Sequence, residues 1–225
     1  MTAIRAAMTW LARHLGYRRA QGLFESDYLK SLGFDVKTVI DVGVDSGTKP
    51  LYDAFDDCLF VLVEPRRDAE SLLEHKPNRY VFVNKGLAAR AVRRTLREQD
   101  GGKTTFLERT ELTASPIIAQ YEVDTTTLDE LLESIESKPP IGIKIDTEGY
   151  ELEIMKGLTR HWDLVQFVIC EASIRRRFIN SYQMSELISF MLQHDFVFFN
   201  FLNAVNPRPL YYDILFVPRT SHLFD

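Results

Sequence analysis

The sequence predicts a mostly parallel, doubly wound α/β sheet that ends in an antiparallel hairpin. Three observations predict it. Short continuous apolar runs recur along the chain: "KTVIDV", "CLFVLVE", "RYVFVNKG", "PPIGIKID" and "LVQFVICEA". Continuous runs, as opposed to alternating ones, suit strands buried on both faces of a parallel sheet. Helix-patterned segments lie between most of them, the rhythm of a βαβ fold. The last two runs, "FVFFNFL" and "LYYDILFVP", are joined only by "NAVNPRP". That link is too short for a crossover helix, so this pair is antiparallel. With 225 residues, 45% of them apolar and 26% charged, the chain can build one substantial core.

Residues 1–35 read as an N-terminal helical segment. Arg5, Arg13, Arg18 and Arg19 interrupt the apolar stretch of "MTAIRAAMTWLARHLGYRRA", so it is a poor secretory signal. It reads as a basic amphipathic helix that either packs across the main domain or docks a membrane surface or partner. "SDYLKSLGF" predicts a second, short helix, opened by Ser26 or Asp27 and closed by Gly33. The main domain, 36–225, then begins with the strand "KTVIDV". "GTKPLYDAFDD" predicts a short helix before the second strand, and "DAESLLEHK" another before the third.

From about Leu87 to Val123 the rhythm breaks. "VRRTLREQDGGKTTFLER" has two polar-alternating arms around "DGG", a hairpin signal, and "TELTASPIIAQYEV" reads as loop. The region is expected to be an insertion at the edge of the fold, which either closes over a site or builds a homodimer contact. Alternation then resumes. "TTTLDELLESIES" opens with a capping box, Thr127 and Glu130. "TEGYELEIMKGL" begins a helix with acids in its first turn, favourable at the positive helix end. "MSELISFMLQHD" is a final helix before the hairpin.

Composition narrows the function. A net charge of −5 argues against a nucleic-acid partner, which calls for a basic stripe. Cys58 and Cys170 sit beside apolar runs and read as buried free thiols of a reducing, cytoplasmic compartment. Neither has a Cys or His neighbour at ligand spacing, and no apolar run reaches the ~20 residues of a membrane span. Asp146, Glu171 and Asp213 could together take a hard cation, but no spacing signature demands one and no metal is expected. None of the five histidines follows a strand end, so histidine catalysis is not expected.

In such sheets, ligands bind outside the carboxyl ends of the strands. The first such end is "VIDVGVDSGTKP". Gly43 and Gly47 let the backbone turn and let a ligand approach. Asp41 and Asp45 make the turn acidic, and both the dinucleotide spacing G-x-G-x-x-G and a P-loop lysine are absent. The turn therefore suits a cationic or zwitterionic group. Glu64 lies at the end of the second strand, 23 positions after Asp41, where an acid can accept hydrogen bonds from ribose hydroxyls. A ribose acid and a glycine turn without a pyrophosphate cradle describe a nucleoside with a cationic amino-acid tail, such as S-adenosylmethionine. Val44, Pro65, Lys85, Gly86 and Asp146 complete the expected cofactor surface.

The residues "VIDVGVDSG", "VLVEP", "TTLDELL" and, above all, "IGIKIDTEGYELEIMKG" from Ile141 to Gly157 resemble the FkbM family of S-adenosylmethionine-dependent methyltransferases. The resemblance spans roughly Val36 to Val217. It implies a class I methyltransferase (Rossmann-like) fold and O-methylation, usually of a hydroxyl. Where the family commonly has Ala-Asn between the two glycines, this chain has Val44 and Asp45.

A hydroxyl acceptor must lose a proton during attack. Asp146, Glu148 and Glu171 are the candidate bases, with Lys144 placed to pair with one of them. Glu151 and Glu153 equally suit stabilisation of the helix they open. Arg175, Arg176 and Arg177 could grip a carboxylate or phosphate on the acceptor, or form a solvated charge run. Asn203, Asn206 and Arg208 could touch a sugar-like acceptor, although turn chemistry explains them as well. The expected activity is an O-methyltransferase for a small molecule: a saccharide, lipid-linked glycan or natural product. Two other readings stand beside it. One is a nicotinamide-dependent oxidoreductase, disfavoured by the missing third glycine. The other is a non-catalytic nucleoside-binding module that docks through its basic helix.

Overall fold

The computed structural model describes residues 23–204 and 206–225. The expected basic N-terminal helix, residues 1–20, lies outside them. The chain runs through α1 (Ser26–Ser31), β1 (Thr38–Val42), α2 (Lys49–Ala54), β2 (Leu59–Val63), β3 (Tyr80–Val83), β4 (Gly86–Leu87), β5 (Arg93–Gln99), β6 (Thr104–Thr105) and β7 (Ile117–Thr126). It continues through α3 (Leu128–Ser134), β8 (Ile141–Ile145), α4 (Glu151–Met155), β9 (Val165–Ser173), α5 (Met184–Gln193), β10 (Phe196–Phe201) and β11 (Tyr211–Pro218).

Seven strands form the main sheet in the order β3-β2-β1-β8-β9-β11-β10. The pairs β2–β3, β1–β2, β1–β8 and β8–β9 are parallel, whereas β11 runs antiparallel to both β9 and β10. Counted within this sheet the order is 3-2-1-4-5-7-6: a doubly wound sheet with one reversed strand inserted near its edge. This is the class I methyltransferase arrangement. The strand order reverses at the β1/β8 boundary, where such sheets place their ligands.

Period-two alternation splits each strand between two cores. Ile40, Val61, Ile143 and Val168 enter one, beneath α3, α4 and α5. Val39, Phe60, Leu62 and Ile169 enter the other, beneath α1 and α2. Both faces are covered, hence the continuous apolar runs.

Several local expectations hold. Gly33 ends the α1 region at φ 68°. Thr127 Oγ1 accepts from the Glu130 amide while the Glu130 carboxylate accepts from the Thr127 amide, closing the capping box of α3. Two expectations fail. The helix expected over "DAESLLEHK" is a single 3₁₀ turn, Ala69–Leu72. Asp68 before it is left-handed, and the amides of Glu74 and His75 donate to Ser46 O, so tertiary bonds to the glycine turn replace helical ones. The segment expected to be loop contains β7, a ten-residue strand paired with β5. With β4 and β6 it makes a second sheet, order β4-β7-β5-β6.

Candidate active site

Beyond the carboxyl ends of β1, β2, β8 and β9 lies a cleft of about 980 Å³, its open mouth included. One half is largely apolar, walled by Pro65, Ala69, Leu72, Leu87, Leu96 and Phe106. The other is ionic and contains Lys103, Asp146, Glu148, Glu171 and the ring of Tyr211. Asp45 and Glu64 line the same cleft.

The glycine turn that forms its floor is locked from below. Gly43 has φ 76°, and a Cβ there would lie 1.8 Å from the Asp146 carbonyl oxygen. The ends of β1 and β8 therefore close only around glycine. Beneath the turn, Asp41 is fully buried, accepts from the Tyr52 hydroxyl at 2.7 Å and lies 3.1 Å from Lys144 Nζ. Lys144 Nζ also donates to Gly43 O at 3.0 Å. Burial disfavours the ammonium, but the carboxylates of Asp41 and Asp146 outweigh it and hold the Lys144 pKa above its ordinary value. Asp41 and Lys144 thus brace the turn from inside and do not line the cleft. Lys144 is not positioned to exchange protons with a ligand. Val44 is buried in the core, and Gly47 abuts His75 O, which a Cβ there would approach to 2.3 Å. Of the expected cofactor surface, Gly43, Asp45, Glu64, Pro65, Lys85, Gly86 and Asp146 face the cleft.

Glu64 is only 5% exposed. Its Oε1 accepts from the Arg66 amide at 3.1 Å and from Thr104 Oγ1 at 3.4 Å. Burial raises its pKa against these donors and the amides of Asp45 and Val44.

Asp146 is half-buried at the switch point, and its amide donates to Val42 O at 2.9 Å. Enclosure raises its pKa; Lys144 opposes the shift, while Glu148 and Asp41 add to it. Glu171 is held well above the ordinary carboxylate range by burial and by the Asp146 charge, against Arg177. Glu148 behaves oppositely. It sits in left-handed backbone at φ 55°, and burial disfavours its charge. Yet it accepts from Lys103 Nζ at 2.7 Å, Arg109 Nη2 at 3.0 Å and Arg177 Nη2 at 2.6 Å, and its pKa is lowered. Glu148 is therefore an ionised anchor, while Asp146 and Glu171 are the carboxylates poised to take up protons. Glu151 is fully buried; it accepts from the amides of Thr147 and Gly149 and from the Tyr182 hydroxyl, and burial lifts its pKa to about 6. It organises the β8–α4 loop and does not line the cleft.

The arginine run divides. Arg177, expected on the surface or on the acceptor, is 3% exposed and bridges Glu148 and Glu171 through one nitrogen, at 2.6 and 2.7 Å. Arg175 and Arg176 are exposed and border a separate shallow groove beside α5. Asn203 donates to Asp213 at 2.7 Å, and the Arg208 amide donates to Asn206, so both serve their own turn and neither lines the cleft. Burial raises the Asp213 pKa to about 6. Among the described residues, no three His, Cys, Asp or Glu side chains group as a metal site.

The insertion lies over the cleft, one of the two placements expected for it. Gly102 to Phe106 line the cleft. Arg66 Nη1 donates to Gly102 O at 3.1 Å and its Nη2 pairs with Glu98 at 3.2 Å. Thr105 Oγ1 donates to Glu148 O at 3.0 Å. Sequence reading missed Lys103, Arg109 and Tyr211. The hairpin signal placed Lys103 at a turn, but nothing in the spacing tied that turn to the β8 loop.

The family model for the FkbM methyltransferase domain matches residues 41–198. A curated relative, the hexuronic acid methyltransferase AglP of Haloferax volcanii, is 47% identical over 49 residues. That stretch is 22% of this chain and spans only 20% of the relative. Among solved structures, magnesium protoporphyrin IX methyltransferase from Synechocystis PCC 6803, with bound SAM, matches at 10% identity and a TM-score of 0.48, over 86% of this chain and 76% of that one. TrmK of M. capricolum, in complex with S-adenosyl-homocysteine, matches at 9% identity and 0.46, over 87% and 68%. The switch-point cleft, the chain's own strand order and a family match over most of its length agree, and the chain belongs to the FkbM methyltransferase family.

Proposed function

We propose that this protein is an S-adenosylmethionine-dependent O-methyltransferase acting on a hydroxyl of a saccharide, lipid-linked glycan or natural product. The observation that carries the reading is the cleft's division. An apolar half suits an adenine ring, buried Glu64 suits the ribose, and acidic Asp45 on the glycine turn suits an ammonium group. The chemistry of these residues fits the cofactor. Bound there, it supplies a methyl carbon on a sulfonium, already activated toward an oxygen nucleophile.

The chain's own residues must align the acceptor and receive its proton. Asp146 is the base this reading favours. It faces the cleft at the switch point, and its raised pKa brings it closer to a hydroxyl proton than an ordinary aspartate. Glu171, in the same wall, is the second acceptor of that proton. Arg177, itself held by Glu148, fixes Glu171, and Lys144 lies 3.7 Å from the Asp146 carboxylate. Alignment is worth several kcal/mol in such displacements. The relative's action on a hexuronic acid supports a saccharide acceptor. A cytoplasmic location belongs to the same proposal: both cysteines are free and buried, and no described helix is long and apolar enough to cross a membrane.

The test is incorporation of tritium from methyl-labelled S-adenosylmethionine into a panel of glycosides. The expected result is label in an alkali-stable product, lost in Asp146→Asn. Incorporation unaffected by Asp146→Asn would overturn the assignment of the base. Absence of incorporation across neutral and acidic glycosides would overturn the acceptor class.

A further inference from the structure

We propose that Lys103 and Tyr211 form the acceptor subsite, and that it takes a hydroxylated ring carrying a carboxylate, with Lys103 on the carboxylate and Tyr211 against the ring. The proposal rests on the methyltransferase reading of the cleft and names what that cleft selects.

Glu148 has three cationic donors and needs fewer. Arg109 and Arg177 are buried guanidinia, their side chains 9% and 3% exposed, and each has a second partner, Gln99 and Glu171 respectively. Both guanidinia stay on the Glu148 carboxylate when Lys103 leaves it. Lys103 differs. Its side chain is 60% exposed, it rises from the hairpin tip beside left-handed Gly101 and Gly102, and it lines the cleft. An ion pair so open to solvent is weak, and a lysine stem is flexible, so its ammonium can pass from Glu148 to an incoming anion at little cost.

The location selects the acceptor and not the cofactor. Lys103 reaches the ionic half of the cleft, beside Glu148, Glu171 and Asp146, whereas its neighbour Thr104 turns to Glu64 in the nucleoside half. Tyr211 stands in the same ionic wall. It is 39% exposed, large for an aromatic ring, and the Arg177 guanidinium lies over it at 4.7 Å. The ring is thus fixed in orientation while part of its surface stays open to a ligand. A ring held against Tyr211 with its carboxylate on Lys103 presents its hydroxyls to Asp146 and Glu171. The carboxylate is then bound and not methylated: an ether C–O bond forms as the methyl–sulfonium C–S bond breaks, S-adenosylhomocysteine leaves with the electron pair, and the hydroxyl proton passes to a carboxylate of the wall.

The probes are p-nitrophenyl β-D-glucuronide and p-nitrophenyl β-D-glucoside, which differ at the carboxylate. In wild type, kcat/KM for the glucuronide should exceed that for the glucoside by about tenfold or more, the scale of one charge-assisted hydrogen bond. Lys103→Gln should erase that ratio and Lys103→Arg should retain most of it. Tyr211→Ala should raise KM for both probes about three- to tenfold and leave the ratio intact. The product should survive mild alkali, as an ether does. Equal turnover of the two probes, turnover of neither by a chain that binds S-adenosylhomocysteine, an alkali-labile ester product, or an unchanged ratio in Lys103→Gln would each overturn the proposal. So would a Lys103→Gln change confined to S-adenosylhomocysteine affinity, which would move Lys103 to the cofactor. Titration of wild type with S-adenosylhomocysteine separates the two levels: failure to bind it overturns the cofactor reading, and the acceptor proposal falls with it.

Discussion

Replacing Arg177 by methionine removes the charge that two cleft carboxylates share while keeping most of the side-chain volume. Arg177 is 3% exposed and donates to Glu148 at 2.6 Å and to Glu171 at 2.7 Å. Breaking a buried ionic network by deleting one partner costs about 3–5 kcal/mol when the charge left behind stays ionised. The two carboxylates respond differently. Glu148 keeps Lys103 and Arg109 and remains ionised. Glu171, already raised by burial and Asp146, loses the guanidinium that opposes the shift, so its folded pKa rises further. A carboxyl whose pKa is higher folded than unfolded binds more protons in the folded state, so stability falls as pH rises through that window. The deficit of the variant relative to wild type should therefore widen with pH between the two folded Glu171 pKa values, by at most ~1.4 kcal/mol per unit. Below both folded Glu171 pKa values the group is protonated in both proteins, and the loss reduces to the charged bond to Glu148, about 1.5–3 kcal/mol. Above both values it should reach about 3–5 kcal/mol. Urea unfolding of both proteins across a pH series measures this. A deficit that is constant with pH, or larger at the acid end, would refute the assignment of Glu171 as the group left uncompensated.

Asp146→Asn should lower kcat by about 10²–10⁴-fold while S-adenosylhomocysteine still binds. Because the base must be deprotonated, wild-type activity should climb with pH through the raised Asp146 pKa, and a pH profile of the variant should lack that limb. Gly43→Ala should destabilise the fold by more than the ~1–2 kcal/mol of left-handed backbone alone, since its Cβ would overlap the Asp146 carbonyl; urea unfolding reads this directly. Tyr182→Phe removes the hydroxyl donated to buried Glu151 and should cost about 1–3 kcal/mol, the penalty of an unsatisfied buried acceptor, seen as a lower thermal midpoint.

The parallel core of the fold was legible because each strand is buried on both faces, which writes itself as an unbroken apolar run. The hairpin of β10 and β11 followed from a link too short to cross the sheet. Gly43, Asp45 and Glu64 were legible as cleft residues because local spacing along β1 and β2 fixes where they emerge. What failed was set by tertiary contact. "DAESLLEHK" has a helical pattern, but Ser46 O takes the amides that a helix would use. Residues 117–126 did carry a strand signal, half-buried Ala119, Tyr121 and Val123 alternating with exposed Gln120, Glu122 and Asp124, and β5 supplies the edge they pair with. Arg177 looks like one of three equivalent arginines, and only the fold shows that it turns inward to Glu148 and Glu171. Lys103 and Glu148 lie 45 residues apart, and no pattern along the chain connects them.

The central claim is that the cleft holds S-adenosylmethionine with Glu64 on its ribose. Calorimetric titration of S-adenosylmethionine and S-adenosylhomocysteine into wild type and Glu64→Ala tests it most directly. The account predicts micromolar binding of both by wild type, and at least tenfold weaker binding once Glu64 is removed, the scale of one hydrogen bond to a charged group. No binding of either nucleoside by wild type, or equal affinity in the two proteins, would contradict it.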